Sequence, residues 1–318
     1  MRENFLCSVA VNMQNLNYLQ YNSMQRLFIA MALSLCLVAC NVVASKKDDP
    51  KNDPKTSADT VEMQQSDTAT NPLGTFALSN IDGSKILEYV SSFQESDLQN
   101  ITQAIYNSRA YSVKYVGNQD GDPEKDNHNQ NASNFNNIKG FVFENLEGEQ
   151  PSIADKTFYL CNDDFLKVNT LTPFEYIDNQ PDAQLIGKFE EKFGRKVTRS
   201  SIMVSFGNEG ENKLCAAQFE HQKDSALAIY ALCTADGAIS YLEFPAELID
   251  EYSVWRVDDE GEFKMDSNVV NSIFQTNDGY VFLIDDVGME GVNSYFVRQK
   301  ADKLVRDEEL FSRYTGAF

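Results

Sequence analysis

From residue 201 onward the apolar residues come in short runs, each ended by a cluster of turn formers. The runs at 201–206, 214–221, 226–233 and 238–244 are broken by Gln222-Lys223-Asp224 and Thr234-Ala235-Asp236-Gly237. Runs this short, interrupted this often, are strands joined by tight turns. The pattern continues to the end of the chain. Segments 252–257 and 262–265 flank Asp258-Asp259-Glu260-Gly261, and 269–275 and 280–285 flank Asn277-Asp278-Gly279, a strong hairpin signal. A further strand is expected at 293–298. Alternating strands of this kind form antiparallel sheets that need only one dry side.

Helical spacing is rarer. Ile86, Leu87, Val90 and Phe93 predict a helix over 84–93. Ser96-Asp97-Leu98-Gln99 reads as a capping box, with Leu98, Ile101, Ala104 and Ile105 as the apolar face of a second helix reaching Arg109. After Pro181, Asp182 caps a third, with Leu185, Ile186, Phe189 and Phe193 on one face and Gly194 as its stop. A short helix is expected at 307–314. Strands are expected at 111–116, 138–144, 157–161 and 165–169, with an Asn-rich loop at 117–137.

Three anchors recur in order. Tyr115-Val116-Gly117-Asn118-Gln119 resembles Ser205-Phe206-Gly207-Asn208-Glu209, Phe143-Glu144 resembles Phe219-Glu220, and Leu160-Cys161 with Asp164 resembles Leu232-Cys233 with Asp236. They suggest two tandem helix-plus-four-strand units followed by a β-meander. The expected fold class is α+β, mainly antiparallel sheet with a few covering helices. The expected units are 75–180 and 181–318. A partial propeller is the lesser alternative.

Near the amino end, Met24-Gln25-Arg26 precedes eleven mostly apolar residues, Leu27 through Leu37. At about 1.5 Å per residue they cover about 17 Å, too little for a bilayer and right for a signal-peptide core. Leu37-Val38-Ala39-Cys40 closes the segment and resembles the lipobox of bacterial lipoproteins at all four positions. The resemblance implies cleavage between Ala39 and Cys40, diacylglycerol on the Cys40 thiol and acylation of the new terminus. Asn41, where Asp would retain a lipoprotein in the inner membrane, implies the outer membrane. Residues 24–39 are then the signal peptide, and 1–23 an extension ahead of the true start at Met24. An uncleaved anchor over 27–44 is the alternative; Lys46, Lys47, Lys51 and Lys55 behind it would favour a cytoplasmic body.

Residues 40–74 carry the acylated Cys and a flexible tether rich in Lys, Asp, Ser, Thr and Pro, which buries too little to offset its chain entropy. Its typical span is roughly 30–35 Å. Lys46-Lys47-Asp48-Asp49 resembles the Lys-plus-acid signal for surface display. Asp59-Thr60-Val61, Asp67-Thr68-Ala69 and Asp224-Ser225-Ala226 resemble an O-glycosylation sequon of anaerobic Gram-negative bacteria, which would modify Thr60, Thr68 and Ser225.

Charge narrows the partners. The 318 residues carry 48 acids against 27 bases, a net charge of −21, and a phosphate backbone calls for a basic face. No nucleic-acid partner is expected. Chemistry-bearing clusters are scarce. The only histidines are His128 and His221, no Gly-x-Ser-x-Gly elbow occurs, and the sequence groups no His with Cys. Asp120-Gly121-Asp122-Pro123-Glu124-Lys125-Asp126 begins like a calcium loop, but Lys125 stands where glycine is needed and Asn131 where Glu is. Asp163-Asp164, Asp258-Asp259 and Asp285-Asp286 fall at turns or strand ends, where turn chemistry accounts for them. Cys161, Cys215 and Cys233 are expected to pack as small apolar residues, the latter two about three residues out of register. The cluster Lys188, Lys192, Arg195, Lys196 and Arg199 reads as a solvated helix end, and Trp255 as core. No catalytic, cofactor-binding or metal residue is expected.

The expectation is an outer-membrane-anchored, non-catalytic binding or scaffold lipoprotein, held to the membrane through Cys40, with a protein or glycan as partner. Two alternatives stand: an envelope hydrolase using a carboxylate pair, and a module that captures a partner's strand along a sheet edge.

Overall fold

The computed structural model describes residues 71–90, 93–177, 179–248, 253–257 and 259–316. The extension at 1–23, the signal segment at 24–39, Ala39, Cys40, Thr60 and Thr68 lie outside the described residues. Among the described residues no helix is long and apolar enough to cross a membrane.

The regular structure of the body is mostly strand. The first six are β1 (Gly74–Ser79), β2 (Lys85–Glu88), β3 (Gln103–Tyr106), β4 (Arg109–Gln119), β5 (Gly140–Asn145) and β6 (Thr157–Cys161). They close into a small antiparallel barrel in the order β1-β2-β5-β4-β3-β6, with β6 returning to β1. Ala77, Ile86, Ala104, Tyr111, Val113, Phe143, Phe158 and Leu160 fill its interior. The Asn-rich loop covers one outer face, where Phe135 and Ile138 pack on Leu78, Leu87 and Val142.

The remaining strands are β7 (Thr170–Leu171), β8 (Phe174–Tyr176), β9 (Val197–Phe206), β10 (Asn212–Phe219), β11 (Ser225–Cys233), β12 (Ile239–Glu247), β13 (Asn268–Thr276), β14 (Gly279–Val287), β15 (Gly291–Lys300), β16 (Lys303–Arg306) and β17 (Phe311–Tyr314). They form one curled sheet in the order β7-β13-β14-β15-β16-β12-β11-β10-β9-β8, with β17 on β15. Its two ends meet on a single segment: Leu171 pairs with Phe274 of β13, and Phe174 pairs with Phe206 of β9. The hollow is packed with Met203, Phe206, Leu214, Tyr230, Phe282, Ile284, Tyr295 and Leu304, and the connection from β12 to β13 plugs it with Phe263 and Met265. The barrel sits against the outside of β13–β15, burying Phe274, Val281, Leu283 and Phe296 against Phe76, Ile105 and Cys161.

Among the described residues the α-helices are α1 (Glu95–Leu98), α2 (Asp163–Val168) and α3 (Ala183–Phe193). Only α3 is a covering helix of the expected kind. The Asp182 carboxylate accepts from Leu185 N–H, Gly194 ends it at φ 64°, and fully buried Phe189 lies over β9–β11.

An α+β class with tandem helix-plus-four-strand units is therefore corrected to an almost all-β molecule. The helix expected at 84–93 is β2: Ile86, Leu87 and Glu88 are all buried because one face lines the barrel and the other lies under the Asn-rich loop. A strand covered on both sides loses its alternation. The helix expected at 96–109 stops after the four residues of α1, capped at Gln94 rather than Ser96, and Ala104 and Ile105 belong to β3. Residues 165–169, expected as a strand, belong to α2 and its cap, with Asn162 accepting from Phe165 N–H. Residues 262–265 pair with no strand, and the helix expected at 307–314 gives way to β17. The repeat anchors occupy unlike places: Gly117 makes a bulge inside β4 at φ 135°, whereas Gly207 follows the end of β9 at φ 96°. Asp164 opens a helix and Asp236 a hairpin turn.

Candidate functional site

Where the barrel meets the sheet there is a cleft of about 410 Å³. Gly74, Thr75 and Phe76 of β1, Tyr159 of β6, Phe296 and Arg298 of β15, and the connection from β16 into β17 line it. Its floor is aromatic. Phe76 stacks on Phe311 with centroids 5.1 Å apart, and the edge of Tyr159 meets Phe76 at 5.2 Å and Phe296 at 5.0 Å. Exposed Val90 and Leu310 stand on its rim.

Strand alternation sets this floor. Ala77 faces the barrel interior, so Phe76 faces the sheet. Gly74 lets Tyr159 in, because a methyl group at Gly74 would run into the Tyr159 hydroxyl. The polar wall is Arg298, whose Nε donates to both oxygens of Asp307 at 3.1 and 2.8 Å. Burial pushes the Tyr159 hydroxyl well above the usual phenol value, so it stays a neutral donor. Glu309 lines the same wall and has no cation beside it among the described residues.

Two buried carboxylates lie away from the cleft. Asp285 accepts from Ser294 Oγ at 2.5 Å and from Asn271 Nδ2 at 2.9 Å, and burial raises its pKa. The β3–β4 turn docks beside it: Ser108 N–H donates to Asn271 O and Ser272 Oγ, and Ser108 Oγ accepts from Ile273 N–H. Asn107 and Ser108 take φ of 52° and 50° to make that contact. This network fastens barrel to sheet. Asp259 accepts from the backbone N–H groups of Val254, Trp255, Arg256 and Gly261 at 2.6–3.1 Å. Burial alone would raise its pKa, but those four donors together hold it below the usual range. It organises a loop.

The residues singled out in the sequence are dispersed. Ser225 opens β11, where its hydroxyl accepts from Arg195 Nη2 at 3.0 Å. His128 is exposed near Asp126 in the Asn-rich loop, and His221 lies by Trp255 with ring centroids 6.5 Å apart. Asp163 accepts from Thr102 and Gln103, and Asp164 from Asn71 N–H and Lys167. Asp258 lies outside the described residues. Asp286 pairs with Arg256, on the opposite face of β14 from Asp285. Asp122 pairs with Lys125, and Asp126 accepts from Asn134. In the basic cluster Lys196 pairs with Glu190 and Arg199 with Glu262. Trp255 packs on Phe263 and donates Nε1–H to Phe244 O. Among the described residues no three His, Cys, Asp or Glu side chains group as metal ligands.

Cys215 lies opposite Ala231, and Cys233 opposite Lys213, so the two are two residues out of register rather than three. They share a face, and the Cys233 thiol donates to Ala231 O at 3.9 Å. The hairpin tightens through the Gln222–Ser225 bridge, which moves the register by one.

The cleft itself had no local signal. Tyr159 and Phe296 each read as ordinary strand aromatics, Phe311 fell in an expected helix and Phe76 in no expected element, and only the long-range pairing of barrel and sheet brings them together. No protein-family model, no curated protein and no solved structure matches this chain.

Proposed function

We propose that this chain is an outer-membrane-anchored lipoprotein of a Gram-negative cell envelope, held by acyl chains on Cys40, which binds a ligand in the cleft without turning it over. The lipobox resemblance and the polar tether support the anchoring. Two long acyl chains attach far more firmly than the marginal single chain, at about 0.8 kcal/mol per buried methylene. The acid chemistry of the cleft supports binding over hydrolysis. Glycoside hydrolysis needs carboxylates on either side of the bond, one of them able to carry a proton. The cleft acids Asp307 and Glu309 come from one connection, and Asp307 is engaged through both oxygens by Arg298.

Native expression with radiolabelled palmitate tests the anchoring: label enters the wild type and not Cys40→Ala, and intact mass with fragmentation of the N-terminal peptide places the mature start at an acylated Cys40. A bare thiol behind a retained apolar segment would overturn it. Activity lost on Asp307→Asn and on Glu309→Gln, from a protein that hydrolyses envelope glycans, would favour the hydrolase instead.

A further inference from the structure

β1 is paired along its length with β6, but β2 joins it only at Leu78 and Ser79. Asn162 N–H donates to Leu73 O, and Ser79 N–H to Lys156 O. In an antiparallel ladder this turns the odd-numbered backbone groups of β1 toward β6, so those of Gly74 and Phe76 face away from it. No described residue gives either of them a backbone partner on that side. Among the described residues β1 is thus unpaired on that side from Gly74 to Phe76, and this short seam in the barrel wall is a wall of the cleft.

The geometry points to a captured strand. An extended peptide segment hydrogen-bonds to the free backbone groups of Gly74 and Phe76, seats an apolar side chain against Phe296 and Leu310, and sets a Lys or Arg beside Glu309. This deepens the proposed function and rests on the cleft being its ligand site. Three observations select a peptide of that kind. The seam offers donors and acceptors at strand spacing, which another strand matches. The Tyr159 hydroxyl makes no hydrogen bond to the protein among the described residues and lies against Gly74, ready for a backbone carbonyl. The wall carries two acids against one base, and that base is paired with Asp307, so a cation is the complement. A sugar would stack on an open aromatic face, whereas Phe76, Phe296 and Phe311 are 7, 8 and 5% exposed and lie against one another.

The test uses the full-length chain in detergent micelles and a fluorescein-labelled, capped heptapeptide of alternating Lys and Val. Its control is the same peptide with alternate backbone amides methylated, which keeps charge and side chains but cannot add as a strand. Saturable binding is expected by anisotropy. At least a tenfold loss is expected for the methylated peptide, and several-fold losses for Glu309→Lys and Leu310→Asp, whose Trp255 emission should match wild type. Equal binding of both peptides means charge attraction alone and overturns strand capture. If a peptidoglycan-derived oligosaccharide saturates the protein, is sensitive to Leu310→Asp and excludes the peptide, the cleft remains the ligand site and strand capture falls. If neither probe binds, both readings fall.

Discussion

Asp285 accepts a 2.5 Å hydrogen bond from the Ser294 hydroxyl inside the junction of barrel and sheet, with Asn271 Nδ2 on its other oxygen. Burial is the largest influence on its carboxyl and raises the pKa above the ordinary 3.8, against the opposing pull of Ser294, Asn271, Arg313 and Lys156. The fold favours the protonated form more than the unfolded chain does. Its contribution is therefore whole below the unfolded value and declines as pH rises through the folded value. Urea midpoints of wild type and Asp285→Asn should diverge most below pH 3.8 and converge as pH rises through the folded value. Asp285→Ala strands two donors and should cost about 2 kcal/mol or more at acid pH. A wild-type advantage that grows with pH would contradict this.

Asp259 should behave with the opposite sign. Its pKa is depressed, so its contribution is present above 3.8 and lost as pH falls through the folded value. Trp255, the single tryptophan, sits in the loop that Asp259 holds and reports on it. Asp259→Asn should cost about 2 kcal/mol at neutral pH and shift Trp255 emission to the red. Wild type should show the same red shift only on acidification.

Cys233 is the thiol to watch. The neighbouring Cys215 thiol, together with Lys188 and Lys213, lowers its pKa, while Cys233 and burial push Cys215 upward and burial pushes Cys161 up to about 12. Cys233 is also partly exposed and the other two are buried. Limited iodoacetamide treatment followed by peptide mapping should find Cys233 alkylated first among the three, by tenfold or more. Cys215→Ala removes that neighbouring thiol and should slow Cys233 at neutral pH. A diagonal offset on neighbouring strands separates Cα atoms by about 7–8 Å, beyond ordinary disulfide reach. Intact mass should accordingly show no bridge between them.

Gly74→Ala should be felt both in stability and at the cleft. The new methyl group pushes the Tyr159 hydroxyl out of its place between Phe76 and Phe296. Overpacking of this sort costs about 1–3 kcal/mol. Thermal unfolding should show the loss, and Thr75→Ser, which adds no bulk, should serve as the near-neutral comparison.

Sequence pattern carried the parts of this molecule where local chemistry decides. Asp182 and Gly194 bound α3, and Asn277-Asp278-Gly279 joins β13 to β14, because a cap and a tight turn are settled by neighbouring residues. The pattern failed where covering from both sides removed alternation. Ile86, Leu87 and Glu88 give no period for a strand between two packed faces. It also failed for the cleft, since β1 and β17 come from opposite ends of the described chain and nothing near Phe76 announces Phe311. The Cys215 register depended on where the Gln222–Ser225 turn bends, a matter of one residue.

The segment at 170–176 serves both ends of the curled sheet, and this gives the protein a timetable. Synthesis delivers the amino end first, so the small barrel has all six of its staves once Cys161 has emerged. The larger ring does not. Leu171 must wait for Phe274, roughly a third of the polypeptide later, before its clasp can shut. During that interval the nascent ring lies unlatched with greasy staves on show, and it is in this window that proteases and holding chaperones have their chance at the molecule.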